Sequence, residues 1–256
     1  DAFSMGVWSA LRAIEIDDNL AEAHAVLGAF RKELDYNWTE VHREMKRALE
    51  LNASSSFCRL FYGVSGLMPL GRVEAAVSEL DYALDLDPLS SYLRCWLVLM
   101  LDLGRQYERG IDEATRVIEN EPGYWLGHFM IGHLYRDMQS YDLALSSLKK
   151  SIKLSGESPF LLGWLGQSLA NNGESTEARA IAERLQSIAS QAYVPPTSFA
   201  WIYLGLGDVD QAFEWMDKAV DARDANIIPI KSYPFLDPLR DDPRFTELLR
   251  KMNLAP

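Results

Sequence analysis

Residues 125–156 read WLGHFMIGHLYRDMQSYDLALSSLKKSIKLSG, and Ala144 within this stretch decides the fold. It is one of a series set 34 residues apart: Ala76, Gly110, Ala144, Ala178 and Ala212. A period of 34 is the length of a helix–turn–helix unit, and a small residue fixed within it marks a close approach of two helices. Other positions keep the period. Leu80, Ala114, Leu148, Ala182 and Met216 follow at i+4, and Ala83, Val117, Ser151, Leu185 and Ala219 at i+7. That spacing is one face of a helix, so a buried face is expected in every unit.

Working outward, a second series describes the preceding helix of each unit. Leu97, Val98 and Leu101 are matched by Ile131, Gly132 and Tyr135, then Leu165, Gly166 and Leu169, then Phe199, Ala200 and Tyr203. Turn signals separate the two helices at Leu70-Gly71-Arg72, Asn171-Asn172-Gly173 and Leu206-Gly207-Asp208. Asp87-Pro88 and Glu121-Pro122 separate one unit from the next, with Gly156 in the place of Pro one unit later. Upstream, Ala13, Ala48 and Ala83 are 35 apart, which implies one inserted residue each time. The loop Asp35-Tyr36-Asn37-Trp38 and the run Ser54-Ser55-Ser56 are the expected places for the two insertions.

The combined pattern resembles the tetratricopeptide repeat. That repeat sets Leu-Gly and Tyr on its first helix, then Gly-x-Tyr, Ala, an aromatic, Ala and Pro through the second. Ile131-Gly132, Tyr135, Tyr141, Ala144 and Leu148 carry the best match. The resemblance implies an all-α fold, a right-handed α-α superhelix of antiparallel helix pairs. Residues 1–19 are expected to be a half repeat, a second helix whose stripe Phe3, Val7, Leu11 and Ile14 is partly uncovered. Residues 20–224 would form six helix pairs, and residues 225–256 an aperiodic tail. In the tail, Ile227-Ile228-Pro229-Ile230 reads as an extended hydrophobic stretch. Asp242-Pro243 is an N-cap and first-turn pair. It predicts a last helix to about Met252, with Phe245, Leu248, Leu249 and Met252 on its apolar face, as a cap for the solenoid.

A narrower resemblance lies in FLDPLRDDPRF, residues 235–245, with Leu248-Leu249 after it, and in Asn37-Trp38-Thr39-Glu40 before Arg47-Ala48-Leu49-Glu50-Leu51-Asn52. Both are similar to the C-terminal tetratricopeptide regions of bacterial multidomain regulators, whose N-terminal halves are winged-helix, adenylate cyclase or protein kinase domains with TolB-like segments. Asp1 in place of Met suggests a piece of a longer chain, so an upstream effector domain is expected.

Composition narrows the partners. The 256 residues carry 37 Asp and Glu against 25 Lys and Arg, a net charge of −12. Lys149-Lys150 and Arg250-Lys251 are the densest basic pairs, so direct nucleic-acid binding by this segment is not expected. The longest apolar run, Trp96 to Leu101, is far too short for a membrane span. Cys58 and Cys95 make no disulfide framework, which favours a reducing compartment, and the cytoplasm is the expected location.

No catalytic constellation is legible. His128 and His133 are five apart, about 140° around a helix, and His24 and His42 fall on other helices, so neither a metal site nor any cofactor is expected. Gly63-Val64-Ser65-Gly66 lacks the second spacer of a nucleophile elbow and reads as close helix packing. No phosphate-binding G-x-x-x-x-G-K occurs. Glu108, Asp112 and Glu113 read as a solvated outer face, and the two thiols as buried and inert.

What remains is the concave groove. The resemblance places Tyr92, Leu126 and Phe160 on one groove row, beside Phe61, Cys95 and Phe129. Leu99, His133, Gln167 and Trp201 form the next row, with Asp102 and Arg136 at its rim. An apolar, aromatic groove suits an extended or helical peptide. The set lacks the Lys and Asn that clamp chaperone C-termini in some members of the family. The expected function is a non-enzymatic protein–protein interaction scaffold. The alternative is a sensor, which binds a small molecule or short peptide in the groove and relays it to an attached effector. Partners are a protein or peptide, the chain's own effector domain, or a second copy docking on the uncovered half repeat.

Overall fold

The 34-residue period resolves into helix pairs joined by one recurring turn. A computed structural model describes the backbone of residues 2–255, and the side chains of all of these except Ala2, Phe3, Ser4 and Glu33. A lone helix α1 (Ala2–Ile16) precedes the pairs α2 (Ala21–Asp35) with α3 (Trp38–Leu51), and α4 (Ser56–Phe61) with α5 (Val73–Leu86). Then come α6 (Ser91–Leu103) with α7 (Tyr107–Asn120), α8 (Trp125–Asp137) with α9 (Tyr141–Ser155), α10 (Pro159–Asn171) with α11 (Ser175–Ala189), and α12 (Pro196–Gly205) with α13 (Val209–Asp221). Two 3₁₀ segments, Ala225–Lys231 and Pro234–Leu239, lead to the last helix α14 (Pro243–Lys251).

In the five later pairs the turn places one residue in the left-handed region, at Gly71, Arg105, Gln139, Gly173 and Gly207, again 34 apart, and in the first pair Tyr36 takes that conformation 35 residues before Gly71. The next N–H then closes the helix end: Gln106 donates to Leu101 O at 2.8 Å, Ser140 to Tyr135 O at 2.8 Å, and Glu174 to Leu169 O at 2.9 Å. This is the Schellman geometry, shared by these five turns, whereas Asn37 N in the first pair donates to Asp35 Oδ1 instead. The small-residue series is buried throughout, and a Cβ on Gly110 would lie 2.7 Å from Leu134 Cδ2. Ser55, Ser90 and Ser158 cap the first helices by accepting from the N–H groups of Cys58, Leu93 and Leu161.

Three local expectations are corrected. The second inserted residue is not in the serine run, because the loop 52–55 is no longer than its counterpart 87–90. It is taken up inside the first helix, where α4 continues as a π-turn over Tyr62–Leu67 and a 3₁₀ turn over Met68–Leu70. A widened turn accommodates one extra residue without breaking the helix. The Ile227–Ile230 stretch is 3₁₀-helical, not extended, because Asp224 caps it by accepting from Asn226 N at 3.0 Å. Glu113 is not solvated: it is buried and pairs with Arg94 and Arg116.

Of the stripe on α1, Val7 and Ile14 are half-buried and Leu11 is exposed, and Phe3 lies outside the described side chains. Met5, Trp8 and Ile16 are more exposed still. The helix after Asp242-Pro243 ends at Lys251 and packs against α13, capping the last pair. It also reaches the first pair: Trp38 Nε1 donates to Met252 O at 2.7 Å, and Asn253 Nδ2 to Tyr36 O at 3.3 Å. The two ends of the stack are thereby joined.

Candidate functional site: the concave channel

The chain's own tail packs into the concave channel. Tyr233 and Phe235, from either side of the second 3₁₀ segment's start, stand against the first helices of two pairs. Their ring centroids lie 6.0 and 5.8 Å from Trp164, and 5.7 and 5.1 Å from Trp201. Arg136 lies in the same stack, its guanidinium 4.6 Å from Trp164 and 4.7 Å from Phe235, a cation–π sandwich. At the rim, Arg105 pairs with Asp237 at 2.5 Å. Further along, Asp224 ties the tail's start to α12 by accepting from Thr197 Oγ1 at 2.6 Å.

The groove residues divide accordingly. Asp102, Arg136, Gln167 and Trp201 are buried where the tail covers the channel. Phe61, Leu99, Phe129, His133 and Phe160 are brought together on the uncovered part, around a recess of about 310 Å³. Trp96, Met130 and Trp164 complete its floor, and Ile228, Pro229 and Tyr233 of the tail form its far wall. Tyr92 is exposed and lies outside the recess, its ring 6.2 Å from that of Trp96. His133 is wedged between Phe129 at 4.5 Å and Trp164 at 4.2 Å. Burial, with Arg136 nearby, lowers its pKa well below the usual imidazole range, so the ring is neutral.

Beneath the tail the electrostatics are unusual. Asp102 Oδ2 approaches His133 Nδ1 to only 3.8 Å, beyond hydrogen-bond reach, while its carboxyl hydrogen-bonds that of Asp137. Burial, then the charge of Asp137, pushes the Asp102 carboxyl well above the usual carboxylate range. Arg136 Nε donates to Asp137 Oδ1 at 2.7 Å.

The other titratable groups are structural. His24 bonds Glu44 at 2.7 Å, a contact between α2 and α3 that spacing alone does not reveal. His128 bonds the Pro122 carbonyl oxygen at 3.1 Å. Both cysteines are buried and unpaired, and burial pushes the Cys95 thiol up to about 12. Among the described residues, no group of three His, Cys, Asp or Glu is placed to hold a metal ion, and no helix is long and apolar enough to cross a membrane.

Models of the tetratricopeptide repeat match residues 129–193 and 197–226. Those segments are tetratricopeptide repeats. The whole chain has the tetratricopeptide solenoid fold, a right-handed superhelix of antiparallel pairs with a capping helix. A tetratricopeptide repeat protein of Parabacteroides merdae superposes with a TM-score of 0.66 at 13% identity, over 91% of both chains. The APC/C hetero-tetramer Cut9–Hcn1 contains a chain that matches with a TM-score of 0.64 at 14% identity, over 98% of this chain and 52% of that one. In sequence, anaphase-promoting complex subunit 3 of Dictyostelium discoideum is 26% identical over 108 residues. That match spans 42% of this chain and 11% of the relative's length.

The tetratricopeptide pattern identifies the groove rows but is silent on Trp164, Tyr233 and Phe235, which do most to shape the channel. Trp164 stands in a first helix where the family pattern makes no demand. Tyr233 and Phe235 lie in aperiodic sequence, and only their apolar character signals burial.

Proposed function

We propose that this chain is a protein–protein interaction scaffold that seats an apolar or aromatic anchor of a partner segment in the recess beside its tail. The reading rests on one observation: the channel keeps an apolar pocket of about 310 Å³, walled by Phe61, Trp96, Leu99 and Phe160, after the tail has taken its share. These four side chains are half-buried, so they remain reachable from solvent. Pockets of this kind hold the few side chains that dominate peptide affinity. Assembly subunits among the similar proteins agree with a scaffold. The similarity of residues 37–52 and 235–249 to bacterial regulators supports a cytoplasmic, non-enzymatic region of a larger regulator, and the partner segment then belongs to its own effector or to a second protein. Exposed Met5, Trp8 and Ile16 support a further contact at α1 with a second copy, which light scattering over a concentration series measures.

A displayed random-peptide library selected on the intact protein tests the recess. The expected ligands share an aromatic or large aliphatic residue, and lose at least tenfold in affinity with Trp96→Ala plus Phe160→Ala. Leu143→Ala, on an exposed face of α9, leaves them unchanged. Ligands indifferent to the double variant, or no ligands at all, overturn the reading.

A further inference from the structure

The recess beside the tail is apolar on most sides, and its one charge is positive. Of the described residues that line it, only Lys32 carries a charge, because His133 is neutral and no Asp or Glu is among them. That runs against the composition of the chain, in which 37 acidic residues face 25 basic ones. The cation is also held in place. Lys32 Nζ, on α2, donates to Ser65 Oγ at 3.2 Å. Ser65 is buried and lies in the π-turn Tyr62–Leu67, the segment that takes up the inserted residue. The turn is closely packed around it, and a Cβ on Gly66 would lie 2.9 Å from the Tyr62 ring. Widened turns of this kind are frequent at functional sites. Asp224, next in sequence to Ala225 on the recess wall, is engaged elsewhere, accepting from Thr197 and Asn226.

We propose that the recess selects an anchor with an acidic neighbour. A large apolar side chain sits between Phe61, Trp96 and Phe160, and the carboxylate of an adjoining Asp or Glu meets the Lys32 ammonium. This rests on the scaffold reading and specifies the partner's sequence. The two contacts have separate grounds. Burial of the anchor supplies affinity and is indifferent to the residues that flank it. The ammonium supplies the selection. It has three N–H donors, and Ser65 takes one. Beside an apolar wall the effective dielectric is lower than in water, so a carboxylate there is attracted more strongly than on an open surface. A basic flank meets a like charge at the same place, and the difference between the two flanks is specificity. The flexible stem of Lys32 lets the ammonium follow the carboxylate, so the requirement is for charge beside the anchor and not for one fixed spacing. The rest of the chain pulls the other way. Its net charge of −12 favours basic peptides at long range, so acidic ones are enriched only by a local cation.

Peptides selected from the displayed random library on the intact protein test this, once re-made with both ends blocked so that every carboxylate is a side chain. Those that require Trp96 and Phe160 are expected to carry Asp or Glu flanking the anchor. Replacing that acid by its amide is expected to weaken binding at least about threefold, and added salt to shrink the difference. In Lys32→Met, which keeps the alkyl stem, the acid and amide peptides are expected to bind alike, while Lys32→Arg keeps the preference. Circular dichroism confirms that both variants fold. The proposal is overturned if anchor-dependent peptides show no acidic enrichment, or if the preference survives in Lys32→Met, and either result leaves the scaffold reading standing. Peptides indifferent to Trp96 and Phe160 overturn the scaffold reading and this inference together.

Discussion

Trp38 and Met252 are joined by a hydrogen bond, indole N–H to carbonyl oxygen at 2.7 Å, between positions 214 residues apart in the chain. An open solenoid makes contacts only between neighbouring units. Here the first turn and the last helix also hold each other. Tyr36 stacks beside Trp38 at 5.9 Å, receives Arg223 over its ring at 4.1 Å, and donates through its hydroxyl to Val220 O at 3.3 Å. Trp38→Phe keeps a ring and removes the donor. It is expected to cost about 1 kcal/mol and to lower the urea midpoint without changing the slope. A midpoint equal to the parent's means that the end-to-end contact adds nothing to stability.

The recurring turn gives a pair of opposite expectations. Gly173 and Gln139 occupy equivalent positions with φ of 85° and 60°. A Cβ on Gly173 would meet no atom within 4 Å, so only the backbone matters there. Gly173→Ala is expected to destabilise by about 1 kcal/mol, and Gln139→Gly to stabilise by up to about 1 kcal/mol. Thermal denaturation of the two variants checks the signs. The same sign for both rules out backbone strain as the cause.

Asp102 and His133 impose opposing pH dependences. The folded chain holds a proton on Asp102 that the unfolded chain releases above about pH 4, so this contribution to stability is lost as pH rises through the raised folded pKa. His133 stays neutral in the folded state while the unfolded chain protonates below about pH 6.5, so stability is also lost as pH falls below that value. Asp102→Asn is expected to flatten the loss on the alkaline side, and His133→Gln the loss on the acid side. Denaturant midpoints from about pH 4 to about pH 9 decide the matter: slopes that stay as in the parent show that these two groups do not control it.

The periodic part of this architecture is legible in the sequence because its contacts are local. Ala144 can only sit where it does if helices of the same and the next unit pack on it, and each later unit repeats the constraint. The π-turn at Tyr62–Leu67 is not legible, since the same one-residue excess fits a loop equally well until the packing of Gly63 against Ala76 is seen. The channel is half legible. Family spacing identifies its rows, yet the segment that fills it is aperiodic. Its partners, Trp201 and Trp164 for Phe235, lie 34 and 71 residues away in the chain, and no local pattern encodes such a pairing. The fate of Asp102, Gln167 and Arg136 was hidden for that reason.

Whether the tail is a fixed part of the fold or a removable plug follows from the size of its buried face. Ile227, Ile228, Ile230, Leu236, Phe245, Leu248 and Met252 are each nearly inaccessible to solvent. Full burial of one such side chain is worth about 1.5–3 kcal/mol, so together they contribute more than ~10 kcal/mol, comparable with the whole stability of a typical domain, roughly 5–15 kcal/mol. A peptide partner has to compete with that sum while also supplying its own ordering cost, so the tail is expected to stay in place. Truncation after Ala222 is therefore expected to remove the cooperative urea transition or lower its midpoint severely, with new binding of a hydrophobic dye at the exposed Trp164 and Trp201. A truncated chain that unfolds like the parent identifies the tail as a detachable occupant and opens the entire channel to other ligands.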